Sequence, residues 1–445
     1  MSRLSKRNVL ILVIFIFFII FGTVYNYEDN FNNLTENSRN DFGAMQLWHA
    51  LQDTVVIDKP VLKNALLENK SNITTILKKS PEVVNKDVAM RLSSAKLNPA
   101  KTLDTIKQLP LEGQQCQPRT NIAFFKMHKC SSSTVQNILF RYGDVKDLNF
   151  VLPVIGNYLG RDLFNKRNMR KFRTEDYNIL CHHTRFSYRG MQEVLPADAV
   201  FVTIIRDPAT MFESMFTYSK YDALYHLSHY ADPLEKFLNN PDLYYSSNRA
   251  KSHAKNPMLY DLGLSIDQKD NMQKIDAMIT ELSDQFNLVM ITEYFDESLI
   301  LLKELMCWSL DDVVYVVLNA RAKESVRKIS PENADKIRQW NAGDVKLYEH
   351  FNKTFWRKVE SFGKEKMAKE VAELRERKRY FVERCVGSVV ENDKKVWHPG
   401  GIKVESFRLK PEAFKDMACV RLIRTELPYT DYLMRKQVLR FRHMP

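Results

Sequence analysis

Short apolar runs alternate with helix-like segments over most of the chain after residue 116. The runs NIAFF, AVFVTII and NLVMIT have the length and the composition of buried strands. Each run precedes a segment in which apolar residues recur with helical spacing; these segments are TVQNILFRYG, PATMFESMFTYSKY and FDESLILLKELMCW. The alternation predicts an α/β fold with a central parallel sheet that is flanked by helices.

The ends of some elements are also marked in the sequence. In the first helical segment, Val135, Ile138, Leu139 and Tyr142 share one face, and Gly143 predicts the end of the helix. The charged stretch KEKMAKEVAELRERKRYFVERC has helical periodicity, and the tail that follows it shows a less regular pattern.

The N-terminus has the pattern of a membrane anchor. Residues 9–25 form an apolar run that is long enough to cross a bilayer core, and no small-residue cleavage site follows it. Arg3, Lys6 and Arg7 precede the run, which puts the N-terminus in the cytosol and the remaining chain in the lumen. We therefore expect a cytoplasmic tail (1–7), a transmembrane signal anchor (8–25), a luminal stem (26–115) and a folded domain (116–445).

The sequons and the cysteines agree with a luminal location, and the net charge gives only weak information about the class of ligand. Four N-x-[ST] sequons begin at Asn33, Asn69, Asn72 and Asn352. Six widely spaced cysteines predict disulfides in an oxidising compartment, although their spacing does not indicate the pairing. The net charge of +12 suits an anionic ligand, a membrane surface or nucleic acid, and does not choose among them.

The segment HKCSSST, residues 128–134, lies between a predicted strand and a predicted helix. Free N–H groups and the positive end of the helix dipole favour an anion at such a place, and small hydroxyl side chains let a phosphate approach closely. The glycine pattern of magnesium-dependent P-loop ATPases is absent, because no glycine lies between Asn121 and Arg141. A Ser/Thr-rich helix cap is the alternative interpretation.

A second strand–helix junction carries the sequence RDPATMFES. Asp207 is a good N-cap and Pro208 suits the first helical position, so that Arg206 projects from the end of the strand. Ligands of open α/β sheets bind beyond the carboxyl ends of the strands. Arg206 and Ser214 therefore offer a site for a second phosphate, which the guanidinium would bind with two hydrogen bonds.

Together the two junctions resemble the nucleotide-binding elements of Golgi carbohydrate sulfotransferases, and more narrowly the galactose 3-O-sulfotransferase family. The similar segments are FFKMHKCSSSTVQNILFRYG, ILCHHTRF, VFVTIIRDPATMFESMFTY, NPMLYDLGL, EYFDESLILLKELMCW and WNAGDVKLYEHFNKTFW, with a weaker similarity at RTELPYT. The resemblance implies a P-loop-kinase-like sulfotransferase fold with residues 116–445 as the catalytic domain. It also implies a single-pass type II protein of the Golgi membrane.

The resemblance further implies 3′-phosphoadenosine 5′-phosphosulfate as the sulfuryl donor, with protein cations in place of a metal. By position, the residues that would hold the 5′-phosphosulfate are Lys126, Lys129, Ser131, Ser132, Ser133 and Thr134. Arg206 and Ser214 would hold the 3′-phosphate. No metal is required under this interpretation.

The loop departs from the family pattern H-K-T-G-S-S-T at two positions, where it carries Cys130 and Ser131. If the glycine of the family supplies a positive φ, Ser131 is strained; if its role is smallness, serine is tolerated, and we favour smallness. Cys130 is interpreted as a small packing residue rather than as a nucleophile.

Sulfuryl transfer resembles phosphoryl transfer, so positioning and electrostatics carry the catalysis. Lys129 is expected to stabilise the leaving phosphate oxygen. The acceptor hydroxyl needs a base, for which histidine is suited near neutral pH. We prefer His183 as this base, with His128 orienting the transferred group or sharing the role, and His182 as the alternative to His183.

The expected acceptor is a galactose-terminated glycolipid or glycan, and no nucleic acid is expected as a partner. Aromatic and hydrogen-bonding side chains that suit a sugar lie in the middle of the chain, at Tyr244, Tyr245, Asn256, Tyr260 and Asp261. A homodimer is compatible with the sequence.

Other classes fit less well. The D-x-D motif of many glycosyltransferases is absent, and so is the glycine loop of the kinases. The alternative from a different class is a catalytically inactive sulfotransferase-like glycan-binding protein, which the serine at position 131 favours.

Overall fold

The centre of the structure is a five-stranded parallel sheet in the order β2 (Phe150–Val151), β4 (Ile179–Leu180), β1 (Ile122–Phe125), β6 (Val200–Ile205) and β7 (Leu288–Ile291), of which β1, β6 and β7 are the three predicted strands. The computed structural model describes residues 116–174, 176–246, 252–322, 326–391, 393 and 402–442. The strands are β1 (Ile122–Phe125), β2 (Phe150–Val151), β3 (Tyr158–Leu163), β4 (Ile179–Leu180), β5 (His183–Arg185), β6 (Val200–Ile205), β7 (Leu288–Ile291), β8 (Val386–Glu391) and β9 (Glu405–Leu409). The prediction of a parallel α/β fold is thereby confirmed.

Helices cover the sheet and build most of the remaining described chain. They are α1 (Ser132–Val145), α2 (Tyr188–Gln192), α3 (Pro208–Tyr218), α4 (Tyr221–Leu224), α5 (Pro233–Leu238), α6 (Pro241–Ser246), α7 (Pro257–Asp261), α8 (Met272–Gln285), α9 (Phe295–Met306), α10 (Leu310–Val313), α11 (Pro331–Trp340), α12 (Ala342–Phe362), α13 (Lys364–Cys385), α14 (Met417–Ile423) and α15 (Glu426–Arg442). The strands β1, β6 and β7 are buried along their whole length, as expected for a sheet that has helices on both faces.

Two sequence expectations about helix ends have opposite outcomes. Asp207 is the N-cap of α3, since its side chain accepts a hydrogen bond from the Thr210 backbone N–H at 3.1 Å, and Pro208 is the first helical residue. The expectation that Gly143 ends α1 is wrong, because the helix continues to Val145. At Gly143 a Cβ atom would lie 2.3 Å from Cζ of Phe150, so the glycine allows close packing between α1 and β2.

The tail after α13 is more regular than its pattern suggested. β8 and β9 pair in antiparallel fashion, and α15 then runs for 17 residues. Tyr429 and Leu433 of α15 are buried in the main core, so this helix belongs to the same core as the sheet.

Two disulfides join distant parts of the chain, as the cysteine content predicted. One links Cys116 to Cys307, and the other links Cys385 to Cys419. Cys130 and Cys181 are buried free thiols.

Several expectations concern residues outside the described part of the chain. The predicted signal anchor and stem lie there, as do all the sequons except Asn352, which is inside α12. Among the described residues, no helix combines the length and the hydropathy needed to cross a membrane.

Substitution of Gly143 by alanine tests the close packing between α1 and β2. Alanine usually stabilises a helix by about 1 kcal/mol relative to glycine, but overpacking a core costs about 1–3 kcal/mol. We therefore expect Gly143→Ala to lower the free energy of unfolding, as measured by urea denaturation. The added substitution Phe150→Leu should recover part of the loss, whereas a Gly143→Ala variant more stable than the wild type would contradict the packing.

Candidate active site

The candidate site lies at the carboxyl end of β1, the middle strand of the sheet. β1 pairs with β4 on one side and with β6 on the other, so the loop of residues 126–131 leaves the sheet between two neighbouring strand ends. This edge is where open α/β sheets bind ligands. The loop leads directly into α1, whose first N–H groups have no partner within the helix.

The loop turns through two residues with left-handed backbone conformation. Lys129 has φ 57° and Ser131 has φ 56°. Ser131 precedes the first residue of α1, and its side chain makes no capping hydrogen bond to the helix. The expectation that smallness alone matters at this position is therefore wrong, because the backbone needs a positive φ. A non-glycine residue in this conformation costs about 1–2 kcal/mol.

Two hydroxyl side chains of the first turn of α1 make hydrogen bonds within the protein. The Ser132 hydroxyl donates to the carbonyl oxygen of Met127 at 2.5 Å. The Thr134 hydroxyl oxygen accepts from the Leu318 backbone N–H at 3.1 Å. Ser133, in the first turn of α1, is partly exposed. Of the predicted donor-binding hydroxyls, those of Ser132 and Thr134 thus make contacts within the protein.

Lys129 and Arg206 lie side by side, which brings the two sequence motifs into one site. The Arg206 guanidinium donates to the carbonyl oxygen of Lys129 at 3.2 Å and to the Thr210 hydroxyl at 3.0 Å. The Lys129 amine lies 3.9 Å from the centre of the Tyr218 ring. Within the part of the chain that the structure describes, neither cation forms an ion pair. Ser214 is buried on α3, one of the two elements that meet here.

A third cation, which the sequence analysis did not predict, lies beside Lys129 and Arg206. Arg321 forms a bidentate pair with Glu213 of α3, at 3.0 and 2.5 Å. Burial, and then the positive charges of Arg321 and Arg206, lower the pKa of Lys129 to about 8. No linear motif around Arg321 indicated this proximity. The site therefore holds more positive charge than its own carboxylates neutralise.

Cys130, between the two left-handed residues, is fully buried. Burial raises the pKa of its thiol well above the ordinary value. A buried neutral thiol is a packing group, which agrees with the interpretation from the sequence.

On the other side of the loop, Asp261 accepts hydrogen bonds from two histidines. Its Oδ2 lies 2.7 Å from Nδ1 of His128 and 3.2 Å from the His128 backbone nitrogen, and its Oδ1 lies 2.8 Å from Nε2 of His253. Burial alone would raise the pKa of Asp261, but both histidines outweigh it and hold the pKa well below its usual range. Nε2 of His128 lies 2.9 Å from the Tyr158 hydroxyl. The carboxylate therefore fixes the hydrogen of His128 on Nδ1.

His183 and His182 point in different directions from the start of β5. The His183 ring stacks on His128 with centroids 4.2 Å apart, and its Nδ1 donates to the Lys126 carbonyl oxygen at 3.2 Å. His182 instead contacts the Thr430 hydroxyl of α15 at 3.0 Å. Burial lowers the pKa of His183 well below its ordinary value and that of His182 to about 3. Only His183 of this pair belongs to the site.

Lys126 is fully buried and pairs with the first residue of α15. Its amine lies 2.6 Å from Oε1 of Glu426, which also accepts from the Asn157 side chain at 3.2 Å. Burial lowers the pKa of Lys126, although Glu426 opposes the shift. The similarity at RTELPYT was the one sequence signal for Glu426, which sequence reasoning did not place in the site.

The residues suggested for sugar binding separate into two groups. Asp261 is in the site, and Tyr260 lies next to it, with its ring 4.0 Å from the Arg185 guanidinium carbon. Asn256 is buried and donates to the Lys269 carbonyl oxygen at 2.8 Å. Tyr244 and Tyr245 pack against the core. The structure adds Tyr158, a residue that is 40% exposed beside His128.

Comparison with known proteins identifies similar chains. A family model described as Galactose-3-O-sulfotransferase matches residues 74–437. Galactosylceramide sulfotransferase of Mus musculus is 38% identical over 338 residues, covering 72% of this chain and 79% of the relative. Galactose-3-O-sulfotransferase 3 of Bos taurus is 37% identical over 356 residues, covering 74% and 81%. Galactose-3-O-sulfotransferase 2 of Homo sapiens is 35% identical over 355 residues, covering 76% and 88%. The matched span includes the whole candidate site.

Substitution of Ser131 by glycine tests the strain in the loop. Glycine adopts φ 56° without the steric cost that serine has in this conformation. This gain is larger than the free energy lost because glycine increases the entropy of the unfolded chain. We expect Ser131→Gly to raise the free energy of unfolding by about 0.5–1 kcal/mol.

The matched control is Ser133→Gly, because Ser133 is two residues away and helical. That change should lower the free energy of unfolding by about 0.5–1 kcal/mol. Equal effects of the two substitutions, measured by denaturant titration, would show that the positive φ of Ser131 stores no strain.

Proposed function

The chain belongs to the galactose-3-O-sulfotransferase family, and on that basis we propose that it transfers a sulfuryl group from 3′-phosphoadenosine 5′-phosphosulfate to the 3-hydroxyl of galactose in a glycolipid or glycan. The observation that carries this proposal is the meeting of Lys129, Arg206 and the His128–Asp261 pair around one loop. It supplies positive charge for a phosphosulfate and a base for a hydroxyl on adjacent residues.

The charge distribution fits a polyanionic donor. Burial and the nearby charges of Arg321 and Arg206 lower the pKa of Lys129, and neither Lys129 nor Arg206 has a carboxylate partner among the described residues. Mutual repulsion of this kind is relieved when an anion binds. The donor, when bound, supplies the sulfuryl group and a phosphate leaving group. Protein cations can neutralise its charges, so we propose that no metal is needed.

Distinct residues hold the two ends of the donor in this proposal. The N-terminus of α1 binds the 5′-phosphosulfate through backbone N–H groups and through the hydroxyls of Ser131, Ser133 and Thr134, whereas Ser132, whose hydroxyl already donates to the Met127 carbonyl oxygen, contributes its backbone N–H. Arg206 and Ser214 bind the 3′-phosphate. A direct contact between the donor and Lys126 would require breaking the buried ion pair of Lys126 with Glu426. We therefore propose that Lys126 positions Glu426.

Lys129 is the residue proposed to stabilise the leaving oxygen. A pKa of about 8 leaves its amine charged at neutral pH, yet lets it give up a proton more readily than an ordinary lysine. The left-handed turn at Lys129 and the hydrogen bond from Arg206 to its carbonyl oxygen fix its backbone. Fixed charges of this kind stabilise developing negative charge without reorganisation during the reaction.

We propose His128, rather than the His183 that the sequence favoured, as the general base. Asp261 holds the hydrogen of His128 on Nδ1, which leaves the Nε2 lone pair for the acceptor hydroxyl. The imidazolium that forms on proton uptake stays paired with the carboxylate. His183 is the weaker base because burial lowers its pKa, and its stacked ring serves to orient His128.

The acceptor is proposed to enter beside Tyr158. This tyrosine contacts Nε2 of His128 through its hydroxyl, at 2.9 Å, and the residue is partly exposed. A sugar hydroxyl that replaced the tyrosine hydroxyl would lie within reach of the base. The names of the relatives, galactosylceramide sulfotransferase and galactose-3-O-sulfotransferase, support galactose as the sugar.

We further propose a single-pass type II protein of the Golgi membrane with a luminal catalytic domain. The apolar run at residues 9–25 and the basic residues before it support this topology. The two disulfides of the folded domain agree with an oxidising compartment.

A transfer assay tests the proposed function. The purified luminal domain is incubated with radiolabelled donor and galactose-terminated glycolipids or glycans, and the position of the sulfate is then determined by linkage analysis. Label on the 3-hydroxyl of galactose is the expected result. Donor binding without transfer to any acceptor would favour the inactive glycan-binding alternative.

Substitution of His128 tests the assignment of the base. We expect His128→Ala to reduce kcat by about 10²–10⁴-fold, because proton abstraction is lost while the loop cations remain. Asp261→Asn should reduce kcat less, since it removes the residue that orients the base. Binding of 3′-phosphoadenosine 5′-phosphate by each variant serves as the check on folding.

The comparison variant is His183→Ala. If His183 were the base, its loss would abolish turnover and His128→Ala would retain most of it, which is the opposite of the expected order.

The lowered pKa of Lys129 predicts a pH dependence of donor affinity. The amine is charged below about pH 8 and neutral above it, so the contribution of Lys129 is present at low pH and is lost as the pH rises. Between pH 7 and pH 9 we expect the Kd for 3′-phosphoadenosine 5′-phosphate to increase about tenfold. Lys129→Arg stays charged over this range and should bind with a flat profile in calorimetric titrations. An equally flat profile for the wild type would contradict the assignment.

A further inference from the structure

We propose that His128, His253 and Asp261 form a zinc-binding site that withdraws His128 from catalysis. The ligand atoms of these three side chains all lie within 4.8 Å of one another. Two imidazole nitrogens and one carboxylate oxygen are a common ligand set of zinc sites that keep a further coordination position open.

One zinc ion can bind all three side chains once the histidine nitrogens move slightly away from Asp261. Asp261 lies 2.7 Å from Nδ1 of His128 and 2.8 Å from Nε2 of His253, each measured between donor and acceptor atoms. Zinc binds nitrogen and carboxylate oxygen at about 2.0–2.2 Å, so the ligand atoms of a tetrahedral ion lie about 3.3–3.5 Å apart, and each histidine nitrogen would move away from its carboxylate oxygen by about 0.5–0.8 Å. The histidine side chains are 15% and 23% exposed, so an ion can reach the cluster from solvent.

Neighbouring hydroxyls can accept the remaining ring hydrogens of both histidines when zinc is bound. Zinc would replace the hydrogens that now lie between the histidines and Asp261. Those hydrogens would move to Nε2 of His128 and to Nδ1 of His253. The Tyr158 hydroxyl lies 2.9 Å from the first atom, and the Ser252 hydroxyl lies 3.3 Å from the second, so both hydrogens find an acceptor. Metal-bound histidines usually donate their other N–H in this way.

The ligand set favours zinc over the abundant hard cations. Mg²⁺ and Ca²⁺ prefer sites built mainly from oxygen ligands, whereas imidazole suits Zn²⁺. Asp261 is the one carboxylate among the three ligands.

Zinc binding would change the tautomer of His128, and that change has a consequence for the proposed reaction. With its hydrogen on Nε2, His128 has no lone pair to accept the proton of the sugar hydroxyl. Lys129 and Arg206 are not members of the cluster, so the donor still binds. This consequence depends on the proposed function, whereas zinc binding itself does not.

Zinc binding is measured first, without any assay of activity. The luminal domain is titrated with ZnCl₂ in competition with a chromophoric chelator, and His253→Ala is compared with His229→Ala, which removes an exposed histidine outside the cluster. We expect one site in the wild type and in His229→Ala. In His253→Ala the affinity should fall by more than about 100-fold, because the loss of a ligand costs more than the loss of a residue that only hydrogen-bonds to a ligand. Equal affinity in all three proteins, or no binding by the wild type, overturns the proposal.

The kinetic arm uses the same proteins, each compared with its own rate in chelator. Zinc should inhibit transfer by the wild type and by His229→Ala without changing the Kd for 3′-phosphoadenosine 5′-phosphate. Inhibition of His253→Ala to the same degree should require a zinc concentration more than about 100-fold higher. Zinc that binds at the cluster and leaves the rate unchanged would refute the withdrawal of His128. Absence of transfer in chelator would count against the proposed function and leave the binding result intact.

Discussion

A single buried carboxylate organises the site. Asp261, the last residue of α7, binds both the backbone and the ring of His128 in the loop between β1 and α1, and it also binds His253. A buried charge is stable only when it is paired and hydrogen-bonded, so Asp261 requires these contacts. The need to satisfy Asp261 therefore determines where the loop lies and which nitrogen of His128 carries its hydrogen.

The two sides of the loop have opposite electrostatic character. On the side of His128, the charge of Asp261 is matched by hydrogen-bond donors within the protein. On the side of Lys129, positive charge exceeds the available carboxylates, and burial together with the neighbouring cations lowers the pKa of the lysine. An anionic ligand would neutralise the excess positive charge on the side of Lys129, whereas the charge on the side of His128 is already neutralised within the protein. His128 at one end of the loop is therefore suited to act as a base, and Lys129 at the other end is suited to bind an anion.

Local patterns predicted the parts of the structure that local forces determine. The apolar runs gave β1, β6 and β7, and the capping residues gave the start of α3, because burial and capping act over a few residues. The contacts of Asp261 with His128 and of Lys126 with Glu426 join residues far apart in sequence, and no local pattern encodes them. The role of Gly143 and the positive φ of Ser131 likewise depend on tertiary packing, which overrode the simplest interpretation of each residue.

The tautomer of His128 is the most direct test of this account. Long-range proton–nitrogen correlation spectra of the histidine-labelled luminal domain, assigned with a His128→Gln variant, report which ring nitrogen is protonated. The account predicts hydrogen on Nδ1 in the wild type, and loss of this preference in Asp261→Asn. Hydrogen on Nε2 of His128 in the metal-free wild type would contradict it.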